Sequence, residues 1–229
     1  MQATIERILS EVAALRHELH QHPELRFEEE WTSHRISAYL NAYGIPHTRG
    51  HARGTGIVAT IPGKSQRTVV LRADIDALEI AEETGLPYAS KRSGFMHACG
   101  HDGHTACLCG TARVLWENRD TLPTTVRCIF QPAEEQAAGG RLVVEEGLLD
   151  GAAAAFALHG WPTLRTGTAS VAHGPVMASA DCFRITIEGK GGHAANPGAT
   201  VDPVYVAAQM VSALQSIVSR EQHPWEPAV

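Results

Sequence analysis

Between His97 and His104 the chain reads His-Ala-Cys-Gly-His-Asp-Gly-His, so one thiol, three imidazoles and one carboxylate fall within eight residues. Glycines at 100 and 103 let the backbone approach an ion closely, and thiolate with imidazole suits zinc, manganese or a neighbouring transition metal. Cys99 and His101 stand at i and i+2 and would point into one cleft if the chain is extended there. Gln131-Pro132-Ala133-Glu134-Glu135 adds two adjacent carboxylates. Neighbouring side chains diverge, so one Glu can bind metal while the other stays free to take a proton from water. Leu158-His159-Gly160 adds an imidazole, and Arg72-Ala73-Asp74-Ile75-Asp76 adds two carboxylates on one face.

Those residues need a scaffold, and the apolar spacing predicts one. Ile5, Ile8, Leu9, Val12, Leu15 and Leu19 form one helical face that ends before Pro23, and a second helix runs from about Thr32 to Tyr43 with Gly44 just past its end. Short β-branched runs predict strands at Gly56–Pro62, Thr68–Ala73, Val126–Phe130, Ala152–Leu158 and Thr168–Ala172, with helices at Gly103–Asn118 and Gly140–Glu146. This alternation predicts an α/β domain over residues 1–176, with a mixed, largely parallel sheet and helices on both faces. In such sheets ligands collect beyond the carboxyl ends of the strands, where Asp74, Asp76, Glu134, Glu135 and His159 fall. That convergence points to a metal-assisted hydrolase. The texture changes near Pro175. A strand at Cys182–Glu188, a turn at Gly189–Gly192 and a helix over Val201–Arg220 read as the beginning of a smaller α+β unit over 177–229.

At 229 residues the chain accommodates one domain and part of another, and its 44% hydrophobic and 19% charged composition excludes disorder for most of its length. A net charge of -6 without a Lys/Arg cluster argues against nucleic acid or an anionic membrane as partner, and no stretch reads as a signal peptide or spanning helix. The expected compartment is the cytoplasm. Five cysteines without a Cys-x-x-Cys do not form a disulfide framework, and Cys107, Cys109, Cys128 and Cys182 read as small core residues.

The strings HPELRFEE (22–29), GTGIVA (54–59), LRADIDAL (71–78), TGLPYAS (84–90), MHACGHDGHTA (96–106), FQPAEE (130–135) and GKGGHAANP (189–197) resemble the N-acyl-amino-acid amidohydrolases, which include hippurate hydrolases and indole-acetyl-amino-acid hydrolases. These belong to the dinuclear metallopeptidases. The resemblance implies that Cys99, His101, Glu135 and His159 bind two divalent metals, manganese or zinc first and cobalt or nickel also compatible. It implies Glu134 as general base, Asp76 as the acid orienting a ligand, and His193 as a donor reaching from a lid into the partner subunit's cleft, hence a homodimer through the lid. The substrate implied is a small N-acyl amino acid. Roles for His97, Asp102 and His104 stay open. Family members are longer, returning after the lid to add closing strands and a further metal-binding His. The expectation is therefore a truncated chain, poorly active by itself. The competing readings are a non-catalytic metal-binding or dimerisation remnant and a dipeptidase or carboxypeptidase of the same superfamily.

Overall fold

The three- and four-residue apolar spacing of the N-terminal segment forms helix α1 (Gln2–Gln21), which buries Ile8, Leu15 and Leu19. Helix α2 (Glu30–Ala42) buries Ile36, Tyr39 and Leu40, and the chain turns out of it through Gly44 at φ +66°. Strands β1 (His47–His51), β2 (Gly56–Ile61) and β3 (Thr68–Asp74) precede helix α3 (His101–Glu117); β4 (Thr125–Gln131), α4 (Gly139–Glu145) and β5 (Ala152–Ala157) follow. The computed structural model describes residues 1–135, 139–174, 176–177, 181–223, 225–226 and 228. They divide into two compact units, Met1–Thr168 and Ala169–Val229.

The sheet order is β1-β2-β4-β3-β5. β1 with β2 and β2 with β4 are antiparallel, whereas β4 with β3 and β3 with β5 are parallel. The expected mixed sheet is present, with two of its four pairings parallel. Strand alternation separates two cores. Ile57, Ala59, Ile61, Ala73, Cys128 and Phe130 face α1, α2 and α3, while Val58, Val70 and Ile129 face Val143 of α4. Helices thus cover both faces. Because β3, β4 and β5 run the same way, their carboxyl ends share one sheet edge, with Asp74 in register with Gln131 and Arg72 with Ala157.

Four local expectations change. β1 was not legible because His-Thr-Arg-Gly-His carries no apolar alternation; it is held by pairing with β2. Residues 168–172 and 182–188 are not strands, since a strand needs a neighbouring edge and among the described residues of the second unit only the Lys190–Val201 bridge forms. The long helix of that unit, α5 (Pro203–Ser216), starts at Pro203, capped by Asp202 Oδ1, which accepts from the amides of Val204 and Tyr205. Among the cysteines, Cys109 and Cys128 are buried core residues, but Cys107 and Cys182 are exposed. Pro175, where the texture changes, lies outside the described residues. No described residue of the second unit is buried, and β5 leaves Phe156 more than half exposed. No helix among the described residues is long and apolar enough to cross a membrane.

Candidate metal centre

The edge formed by the ends of β3, β4 and β5 gathers the chemistry. Gly100 adopts φ +85°, a left-handed conformation open to glycine, and α3 begins at the next residue. This corrects the extended i, i+2 geometry expected for Cys99 and His101: a left-handed kink joins them, and His101 enters the helix two residues earlier than the spacing predicts. Even so, donor atoms of Cys99, His101 and His159 lie within 4.8 Å of one another, and so do those of His101, Glu134 and Glu135.

Hydrogen bonds fix the tautomers of both histidines. His101 Nδ1 lies 3.0 Å from the Asp76 carbonyl and 3.2 Å from Asp76 Oδ1, two acceptors, so it carries the proton, and in the neutral ring Nε2 presents a lone pair. That Nε2 is buried with no hydrogen bond, facing Asp74 Oδ2 at 3.6 Å and Glu135 Oε1 at 3.8 Å. Glu135 Oε1 is likewise buried and unpartnered. His159 follows the same logic: Nδ1 donates to the Gly160 carbonyl at 2.7 Å, and Nε2 points at Cys99 Sγ, 3.3 Å away. Asp76 Oδ2 accepts from the Glu135 amide at 3.0 Å, so this carboxylate braces two candidate ligands at once.

The electrostatics call for a cation. Burial, followed by the charges of Glu135, Glu134 and Asp74, pushes the Cys99 thiol up to about 12. Glu135 is raised, first by burial. For His101 burial favours the neutral form, but the Asp76 hydrogen bond and the charges of Asp74, Asp76 and Glu135 outweigh it and raise its pKa. Orphaned buried donor atoms, a thiol held protonated by burial and the surrounding acids, and converging imidazoles fit divalent metal ions with thiolate, imidazole and carboxylate ligands.

The three residues left open by sequence differ in position. His104 uses both nitrogens: Nδ1 donates to Asp74 Oδ1 at 2.7 Å, and Nε2 accepts from the Gly160 amide at 2.8 Å, next to His159. Burial opposes ionisation of Asp74, but the His104 hydrogen bond and the charges of Arg72 and His101 outweigh it and lower its carboxyl to about 2. Asp102 Oδ2 accepts from Arg16 Nε at 2.7 Å and His20 Nδ1 at 2.8 Å, tying the start of α3 to α1. His97 is buried with neither ring nitrogen hydrogen-bonded, and burial lowers it to about 4. A hollow lined by Leu25, Arg26, Ala77, Leu78, Glu79 and Ile80 adjoins Glu135. His193 belongs to the second unit, where it is exposed and its Nδ1 accepts from the Ala195 amide at 3.1 Å.

An open α/β sheet with a thiol, imidazoles and acids gathered beyond its parallel strand ends defines a metal-centre domain of the metallopeptidase type. The model of peptidase family M20/M25/M40 matches residues 70–227, and the chain belongs to that family. Among curated relatives, an N-acetylcysteine deacetylase of Bacillus subtilis is 50% identical over 94% of this chain and 57% of its own length. An N-acyl-L-amino acid amidohydrolase of Geobacillus stearothermophilus is 42% identical over 98% of this chain and 61% of its own. The crystal structure of a dinuclear metal-binding M20 peptidase of Bacillus subtilis superposes with a TM-score of 0.77 at 42% identity, covering 92% of this chain and 57% of that one. The chain thus spans little more than half the length of these relatives.

Proposed function

We propose that this chain carries the metal-binding catalytic part of an amidohydrolase that cleaves the amide bond of small N-acyl amino acids. The observation carrying this reading is the pairing of an orphaned His101 Nε2 and Glu135 Oε1, beside Cys99 and His159, with a second, exposed carboxylate, Glu134, next in sequence. Cys99, His101, Glu135 and His159 are the ligands for two divalent ions, manganese or zinc. When bound, such ions polarise an amide carbonyl and lower the pKa of water.

The chain's own residues supply the rest. Glu134 takes the proton from the attacking water and returns it to the departing amine. Asp76 holds His101 in the Nδ1–H tautomer and fixes the Glu135 backbone, so both ligands keep their direction. The hollow beside Glu135, walled by Leu25, Ala77, Leu78 and Ile80, suits a small substrate. Relatives described as a deacetylase of N-acetylcysteine and as an N-acyl-amino-acid amidohydrolase support this substrate class. Residues 177–229 contribute to a lid, through which the protein pairs as a homodimer and from which His193 reaches the partner subunit's cleft to stabilise the oxyanion. Exposed Val204, Val211 and Leu214 on α5 support an apolar partner surface there. The free cysteines suit the cytoplasm.

The test is elemental analysis of the purified chain beside hydrolysis assays on N-acetyl- and N-benzoyl-amino acids. Two ions with chelator-sensitive turnover support the reading, and absence of bound metal refutes it. Metal without turnover would favour the non-catalytic remnant.

A further inference from the structure

Glu29 is completely buried, yet it is an acid outside the metal centre. Its Oε1 accepts from the Ala133 amide at 2.9 Å and its Oε2 from the Thr55 hydroxyl at 2.7 Å, so one carboxylate joins the segment before α2, the turn before β2 and the turn after β4. The four non-glycine residues at positive φ among the described residues all lie in these three segments: Phe27 at +61°, Ala52 at +46°, Arg53 at +68° and Ala133 at +53°. Arg53 and Phe27 also touch directly, with the guanidinium 4.7 Å from the ring centroid. A side chain at positive φ is disfavoured by its Cβ, and such residues persist where surrounding structure over-determines them. Ala133 is held from both sides, since its carbonyl accepts from Gly139 at 3.1 Å. The next two residues are Glu134 and Glu135.

We infer that Glu29 is a positioning residue that locks Ala133 in the left-handed conformation and thereby aims Glu134 and Glu135 into the metal centre. Thr55 anchors the far side of the carboxylate, so the lock is tied to the sheet and does not swing with α2. The requirement is for two hydrogen bonds of fixed geometry. A glutamine at 29 meets it, because its carbonyl oxygen still accepts from Ala133 and its amide donates to a Thr55 hydroxyl turned the other way. Alanine does not. A glycine at 133 adopts positive φ without a Cβ and needs the lock less.

This rests on the metal reading above, and the experiment separates the two. Cobalt(II) is titrated into the chain, following the thiolate-to-cobalt absorption of Cys99, for wild type, Glu29→Gln, Glu29→Ala and Glu29→Ala with Ala133→Gly, while hydrogen exchange reports the Ala133 amide and circular dichroism the fold. The expected result is Glu29→Gln near wild type, Glu29→Ala folded but binding cobalt about 10-fold or more weakly with an unprotected Ala133 amide, and substantial recovery of affinity on adding Ala133→Gly. If Glu29→Ala does not fold, Thr55→Val, which keeps the volume and leaves one oxygen of Glu29 unpartnered, replaces it in the same comparison with the same expectations. Cobalt affinity unchanged in the folded variant, or lost equally in Glu29→Gln, or not recovered by Ala133→Gly, overturns the inference. A wild-type chain that takes up no cobalt overturns the metal reading itself, and this inference with it.

Discussion

Asp76 and His101 are joined twice, through the Asp76 carbonyl at 3.0 Å and Oδ1 at 3.2 Å, both meeting the same imidazole Nδ1. The second carboxylate oxygen accepts from the Glu135 amide at 3.0 Å. One buried acid therefore sets the tautomer of one candidate ligand and the backbone of another. Asp76→Ala is expected to lower metal affinity by about 10- to 100-fold while leaving the fold intact. Chelator competition measures this; wild-type affinity would show that the carboxylate does not orient the ligands.

His104 carries imidazole into the same region, but its nitrogens are committed to Asp74 and the Gly160 amide. His104→Ala leaves a buried carboxylate oxygen and an amide without partners, costing about 1–3 kcal/mol of stability. Metal stoichiometry should be unchanged and affinity reduced through His159. Thermal denaturation with elemental analysis checks both, and loss of one ion per chain would instead make His104 a ligand.

Cys99 is a thiol at neutral pH because burial and the neighbouring acids hold its pKa at about 12. Binding a cation as thiolate must then release that proton, so affinity rises with pH across the range below the thiol's pKa. Calorimetry in buffers of different ionisation enthalpy should detect a released proton in wild type that is missing in Cys99→Ser. Identical proton release in the two would exclude thiolate ligation.

Glu29 gives a second pH signature. Burial raises its pKa to about 7 from 4.5, against the opposing hydrogen bonds of Thr55 and Ala133. Between those two values the folded chain binds more protons than the unfolded one, so stability falls as pH rises through this window and is level above it. The full change is about 3 kcal/mol. Glu29→Gln, neutral throughout, should lack this slope. Denaturant melts at pH 4.5, 6 and 8 provide the check, and equal slopes in both proteins would contradict it.

The sequence was most legible where periodicity or donor chemistry is local. Helix α1 and the β-branched runs of β2, β3 and β4 stand where they were expected, within two residues. What was hidden depends on contacts between distant segments. His104 meets Gly160 across 56 residues of chain, and Glu29 meets Ala133 across 104. No spacing rule reports such pairs. β1 was hidden for another reason: a polar edge strand takes its conformation from its neighbour, β2, and carries no pattern of its own. The kink at Gly100 shows the converse, since a glycine read as backbone freedom near an ion also begins the helix that carries His101.

The proposed division of labour between adjacent carboxylates is tested most directly by Glu134→Gln beside Glu135→Gln. With metal content and N-acyl-amino-acid hydrolysis measured on the same preparations, Glu134→Gln should retain both ions and lose turnover by about 100-fold or more, whereas Glu135→Gln should lose bound metal. Full turnover in Glu134→Gln, or full metal content in Glu135→Gln, would contradict the assignment of base and ligand.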